Sequence, residues 1–387
     1  MSATWPGTAA YASRAVNGVG DSLFESVPNF SEGRDSETVA AIAGAARAAH
    51  VLDVDADPDH NRAVISLAGM GPNLLEALVA SVRVAIGRID VRQHRGLHPR
   101  VGAADVLPIV PLGPTPLTLG HELARELGER IWGDLGVPVY FYGERQSLAD
   151  IRAGRGRLDL GGPALHPTAG AVCVGARQKL IAFNVILPGV DVIAARALAR
   201  SLRESAGGMR GVQALVFELP AGRVQLSMNL FRVHETSPAA VVAELERRGV
   251  AVGSQQLIGL CPAVVANQAA AGRLLEARLA ASAATAGADR CSEHGGEEHV
   301  ALAARLRREA EGLAALSIDQ GAILGGAERA AALVPVLRTA GVLDGELHAM
   351  LGAAAAGLRE AITGDTQSTY AVRLAALDRR LRSPAGE

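Results

Sequence analysis

From Phe24 to Gly249 the order strand, helix, strand, strand, helix is written twice, and this repeated grammar constrains the fold more than any single motif. In the first pass FESVPNF reads as a short strand. SETVAAIAGAARAA (36–49) follows as a helix with Val39, Ile42, Ala45 and Ala46 on one face. VLDVDAD (51–57) and RAVISLAG (62–69) are two strands joined by a polar turn. NLLEALVASVRVAIGRI (73–89) places Leu75, Leu78, Val79, Val82 and Ile86 at helical spacing. After a charged loop come a strand at 104–112, a helix at 119–135 and a strand at 137–143.

The second pass is KLIAFNVIL (179–187), DVIAARALARSLRES (191–205), VQALVFEL (212–219), RVQLSMNL (223–230) and SPAAVVAELERRG (237–249). The two halves share this pattern without visible sequence identity. The prediction is an α/β (α+β) fold: two ferredoxin-like βαββα subdomains, packed sheet to sheet with a ligand tunnel between them. From about Ala263 the chain turns alanine-rich and helical, with helices expected at 297–316, 327–340, 345–359 and 368–382. The expected domains are a flexible N-terminal tail (1–22), two subdomains (23–176 and 177–295) and a helical tail (296–387).

A chain of 387 residues, 49% of them hydrophobic, has ample material for a core. Its net charge of −2 provides no global field for nucleic acid or an acidic membrane, so neither is expected as a partner. Cys173, Cys261 and Cys291 are widely spaced and odd in number, which argues against a disulfide framework and a structural zinc site. With no basic start followed by an apolar run, a cytoplasmic protein is expected.

Charge is concentrated instead in RQHRGLHPRVGAADV (92–106). Pro99 keeps His98 out of helical geometry, and Gly96 and Gly102 let the backbone bend on either side. A histidine so presented can take and return a proton near neutrality, while Arg92, Arg95 and Arg100 suit carboxylates. The competing reading is a solvated basic loop. His94 cannot share a helix face with His98 across Gly96 and Pro99, which weakens a metal site.

In LDVDADPDHNR (52–62) strand alternation puts Asp53 and Asp55 on one face, an unusual pair for a core strand. A calcium loop is disfavoured there, because the expected glycine and closing glutamate are missing. VPNFSEGRD (27–35) reads as a strand exit in which Ser31 or Asp35 caps the next helix. GGPALHPTAG (161–170) carries no phosphate-binding pattern, and CSEHGGEEH (291–299) reads as a linker capping the next helix.

Taken in order, ESVPNFSEGR (25–34), LDVDADPDHNRAV (52–64), GLHPRVGAADVLPIVP (96–111), VPVYFYGE (137–144), AGAVCVGARQKLIAFN (169–184) and VGSQQLIGLCP (252–262) resemble the formiminotransferase domain family. The resemblance runs from about Phe24 to Pro262 and implies folate-dependent transfer of a formimino group between N-formimidoyl-L-glutamate and tetrahydrofolate. It implies tetrahydrofolate as co-substrate, no metal, and a homodimer. It also implies that His98 matches the family's proton-shuttling histidine, and Asp55 a carboxylate lining the folate tunnel. Asn29, Asn61, Arg62 and Arg100 are expected on the folate or substrate, and the folate loop is expected at Gly162, Pro163, Ala164, Leu165, His166, Pro167, Thr168, Ala169 and Gly170. Arg177 and the strand to Asn184 are expected to floor the tunnel.

One departure stands inside the loop. The family usually reads GEHPR where this chain has Gly96, Leu97, His98, Pro99 and Arg100. Leu97 therefore motivates a rival expectation, a formimidoyltransferase with a different amine partner. A second rival is a catalytically weak folate-binding scaffold assembled through the helical tail. That tail does not resemble the cyclodeaminase domain, so no fused second activity is expected.

Overall fold

Val27 and Pro28 interrupt the first strand, giving β1 (Leu23–Ser26) and β2 (Asn29–Phe30). Pro28 has no N–H to give to a ladder, but its carbonyl still accepts from Ile65 N at 3.1 Å. The computed structural model describes residues 18–362 and 365–382. Residues 1–17 of the expected N-terminal tail lie outside that range. Val19–Asp21 form a single 3-10 turn before β1.

The chain continues through α1 (Ser36–Ala45), β3 (His50–Asp57), β4 (Arg62–Met70), α2 (Gly71–Arg88), β5 (Ala104–Pro111), α3 (Leu117–Leu135), β6 (Val139–Phe141), α4 (Leu148–Arg152) and β7 (Val172–Ala176). Asp35, one of the two expected caps, starts α1 by accepting from Glu37 N at 3.0 Å. Both β1 and β2 pair antiparallel with β4 on one side and β5 on the other, so they act as one broken strand. β3 pairs the far edge of β4. β7 and then β6 extend the sheet in parallel beyond β5.

Strand alternation gives this sheet two unlike faces. Phe24, Phe30, Ile65, Leu67, Leu107, Ile109, Val172 and Val174 are buried in one hydrophobic core with residues of α1, α2 and α3. Each of the larger side chains there contributes about 1.5–3 kcal/mol by leaving water. The opposite face carries polar groups: on β3 and β4 the registered pairs Asp53–Ser66, Asp55–Val64 and Asp57–Arg62 share it. The two carboxylates read onto one face therefore do lie there.

β8 (Ile181–Ile186), α5 (Val192–Leu202), β9 (Val212–Leu219), β10 (Arg223–Leu230), α6 (Pro238–Arg247) and β11 (Gln255–Ile258) form the second half. Its antiparallel sheet runs β11, β8, β10, β9, the order of a ferredoxin-like fold. Phe183, Val185, Leu226, Met228 and Leu257 are buried on one face. In register on the other lie Asn184, Ser227 and Gln256, and further along Gln225 opposite Phe217. The expected mixed α/β class is what the chain adopts.

Both sheets belong to one compact unit, Gly18–Gly259. The second unit is described from Leu260 and is helical: α7 (Leu275–His294), α8 (Glu297–Ala314), α9 (Gln320–Thr339), α10 (Gly345–Glu360), α11 (Asp365–Thr369) and α12 (Ala371–Arg382). The sequence boundary at 295 differs from this division. Leu279, Ala280, Ala284 and Ala288 bury one side of α7, which packs on α8 and α10, so this helix groups with the helical unit. Cys291 to His294 are the last turn of α7 and Glu297 to His299 open α8, so the linker expected at 291–299 is reduced to Gly295 and Gly296, and no side chain among the described residues caps α8. All three cysteines are free and buried. Among the described residues no helix is long and apolar enough to cross a membrane.

Candidate active site

The loop between α2 and β5 is stapled at both ends to the segment before β7. Val91 N donates to Thr168 O and Ala103 N to Ala169 O, both at 2.9 Å. Gly102 fits because it lacks a side chain: a Cβ there would collide with the carbonyls of Ala169 and Ala171. Within this frame Arg100 Nη2 donates to Gly96 O at 3.0 Å and to His98 O at 2.7 Å, closing the bend from inside. His98 is half-buried in a loop braced from within, while Arg92, Gln93, Arg95, Gly96, Leu97 and Pro99 around it are exposed to solvent.

His98 Nδ1 lies 2.7 Å from Pro99 O. A carbonyl can only accept, so Nδ1 carries the proton and Nε2 keeps the lone pair. Burial lowers the affinity of this ring for a second proton, and the Arg62 and Arg152 guanidiniums lower it further, outweighing the Pro99 carbonyl and Asp105, so its pKa falls from 6.5 to about 3. The side chain is therefore held as a neutral imidazole in this setting.

Those two arginines meet on a buried carboxylate. Arg62 Nη1 and Arg152 Nη2 donate to Asp105 Oδ2 at 2.8 and 2.9 Å, and Asp105 Oδ1 accepts from Val101 N at 2.6 Å. Burial by itself would raise the Asp105 pKa, but the two guanidiniums and the Val101 N–H hold it below the usual 3.8. Two cations against one anion leave a local surplus of one positive charge beside His98. That surplus suits a carboxylate-bearing ligand.

The expected site residues divide into two groups. Arg62 Nε donates to Asn29 Oδ1 at 3.0 Å, so Asn29, Arg62 and Asp105 form one network reaching His98. Asn61 sits in left-handed backbone at φ 47°, accepts from Gly33 N at 2.9 Å and donates to Arg95 O at 3.0 Å. Its side chain ties the Glu32–Asp35 turn to the His98 loop, a structural task. Asp55 Oδ2 accepts from Gly259 N at 2.6 Å, joining β3 to the end of β11.

Gly162 to Leu165 form an exposed tip, whereas His166 to Gly170 close on themselves, with N–H to O bonds of 2.9 Å in both directions. His166 Nδ1 accepts from Ala169 N at 3.0 Å within that turn. Asn184 is buried on the polar face of β8, and Arg177 lies beside Tyr142 with its backbone N–H on Ile109 O at 3.0 Å. No hydrogen bond among the described residues joins Arg177 or Asn184 to the His98 loop.

Arg92 is committed to Asp90, with Nη2 to Oδ2 at 2.6 Å, and Arg95 Nη1 donates to His94 O at 3.1 Å. Asp105 and Arg152 carried no signal in the sequence reading. A lone acid inside the apolar run ADVLPIVP was the available clue, because a buried carboxylate needs cationic partners.

A family profile described as formiminotransferase domain, N-terminal subdomain, matches residues 23–177. A glutamate formimidoyltransferase of Thermoplasma acidophilum is 38% identical over 269 residues, covering 62% of this chain and 88% of that protein. A glutamate formimidoyltransferase of Streptococcus pyogenes serotype M1 is 34% identical over 271 residues, covering 62% and 89%. A formimidoyltransferase-cyclodeaminase of Rattus norvegicus is 35% identical over 281 residues, covering 64% of this chain and 52% of the longer relative.

Proposed function

This chain belongs to the glutamate formimidoyltransferase family, and from that premise we propose that it transfers the formimino group of N-formimidoyl-L-glutamate to tetrahydrofolate, releasing L-glutamate. The observation that carries the mechanism is the tautomer of His98, whose Nδ1 is held by the Pro99 carbonyl so that Nε2 is the base.

Transfer joins a ring nitrogen of tetrahydrofolate to the formimino carbon and breaks that carbon's bond to the glutamate nitrogen. The carbon becomes tetrahedral in between, bearing the imino, donor and acceptor nitrogens. His98 Nε2 takes the proton that the acceptor nitrogen must lose. It returns that proton to the glutamate nitrogen, which then leaves with the electron pair of the broken bond. The same proton serves both steps, so the reaction is balanced without another acid or base.

A carboxylate of either substrate, placed near Arg62 and Arg152, cancels the surplus positive charge that disfavours imidazolium. Binding thus prepares His98 to hold its proton for the interval between the two steps. Asp55, on the polar face of β3, suits the cationic amidine-like group. The exposed tip Gly162–Leu165 suits the folate.

The reading is tested by mixing the full chain with tetrahydrofolate and N-formimidoyl-L-glutamate and following 5-formimidoyl-tetrahydrofolate. Product that depends on all three components is expected. Its absence with folded protein overturns the reading.

A further inference from the structure

We propose that His60 and Gln225 form a latch that holds the Phe217 ring of the second sheet against His98, making His60 and Phe217 positioning residues for the base; the catalytic part of this rests on the function proposed above. The latch begins in strand register. Gln225 on β10 lies directly opposite Phe217 on β9, so both side chains rise from the same face as immediate neighbours.

His60 meets both. It stands in the turn between β3 and β4, where its backbone N–H donates to Asp57 Oδ1 at 2.8 Å. Its Nε2 lies 2.9 Å from Gln225 Oε1, and an amide oxygen only accepts, so Nε2 carries the proton. Its ring meets Phe217 edge to face, with centroids 4.7 Å apart at 85°. On the same phenyl ring His98 stacks at 5.9 Å and 26°, while the two imidazoles are 6.2 Å apart.

The chemistry of His60 marks it as more than packing. The residue is only 7% exposed and Gln225 only 3%, yet His60 Nδ1 is buried with no hydrogen-bond partner among the described residues. Leaving a polar atom so placed is costly, and an apolar ring would avoid the cost. What an apolar ring lacks is the bond to Gln225, the directional tie between the two sheets at this point. Asp59 and Arg223, 3.2 Å apart beside it, are too exposed to fix the geometry alone.

The groups around His98 come from five places: Arg62 on β4, Asp105 on β5, Arg152 on α4, Arg100 in its own loop, and His60 in the turn. Arg223 at the start of β10 is paired with Asp59 at 3.2 Å, and beyond it β9 and β10 bring the uncharged Phe217 and Gln225. Their effect on His98 is to exclude water, and loosening them admits it while the neighbouring charges stay in place.

The test is an NMR titration of the His98 imidazole in the full chain without substrates, the signals being assigned with His98→Gln. In the wild type the His98 titration is expected well below the usual 6.5. Gln225→Leu, which keeps the size of the side chain but removes the acceptor, is expected to raise the His98 titration by about one unit, as is Phe217→Leu. Arg223→Gln leaves it in place. An unshifted His98 in both Gln225→Leu and Phe217→Leu overturns the latch. Phe217→Leu retains the His60–Gln225 bond, so it carries the test if Gln225→Leu does not fold. Because no substrate is present, a wild type without transfer activity refutes the proposed function and leaves this result standing.

Discussion

Arg62 donates to Asp105 Oδ2 at 2.8 Å with both side chains nearly closed to water, at 10% and 0% exposure. Arg152 shares the same oxygen. A buried charge pair is weak evidence for net stability, but breaking one leaves its partners uncompensated.

Asp105→Asn is therefore expected to cost about 3–5 kcal/mol, measured as a lowered denaturant midpoint. The pH dependence has a defined sign. The Asp105 pKa is depressed below 3.8 in the folded state, so its contribution is complete above that value and is lost as pH falls through the lower folded value. The variant should lack this acid-labile part.

His98 acts in the same sense over a higher pH window. Its folded pKa is about 3, so below about 6.5 the unfolded chain binds a proton that the folded chain refuses. Stability falls as pH drops through that window. His98→Gln is expected to lose less stability than the wild type between pH 6.5 and about 3, compared by urea unfolding across the range. An identical decline in both would place the ring in water.

Gly102→Ala tests the loop frame. The added Cβ meets backbone carbonyls of Ala169 and Ala171, which cannot swing aside as a flexible side chain would. We expect a loss of about 1–3 kcal/mol in thermal or denaturant unfolding. At a permissive temperature, transfer activity should also fall, because this backbone carries His98.

The parts legible in the sequence were those set by local periodicity. Leu75, Leu78 and Val82 are buried on α2 as their spacing predicts, and Asp53 and Asp55 share a strand face. β7 was not assigned as a strand because Val172–Ala176 is buried on both sides, an unalternating run at the end of a glycine-rich connection. The site was legible where one loop holds its parts, as with Gly96, His98 and Pro99. It was hidden where distant segments meet, since nothing near His60 announces Gln225, 165 positions away. Arg92 meets the carboxylate of Asp90, two residues before it, at 2.6 Å.

The most direct measurement is the turnover of His98→Ala beside the wild type, with tetrahydrofolate and N-formimidoyl-L-glutamate saturating and folate binding measured separately. Loss of the proton shuttle predicts a fall in kcat of about 100- to 10,000-fold with folate affinity retained. A variant that binds folate and turns over at the wild-type rate would contradict the assignment of His98 as the group that moves the proton.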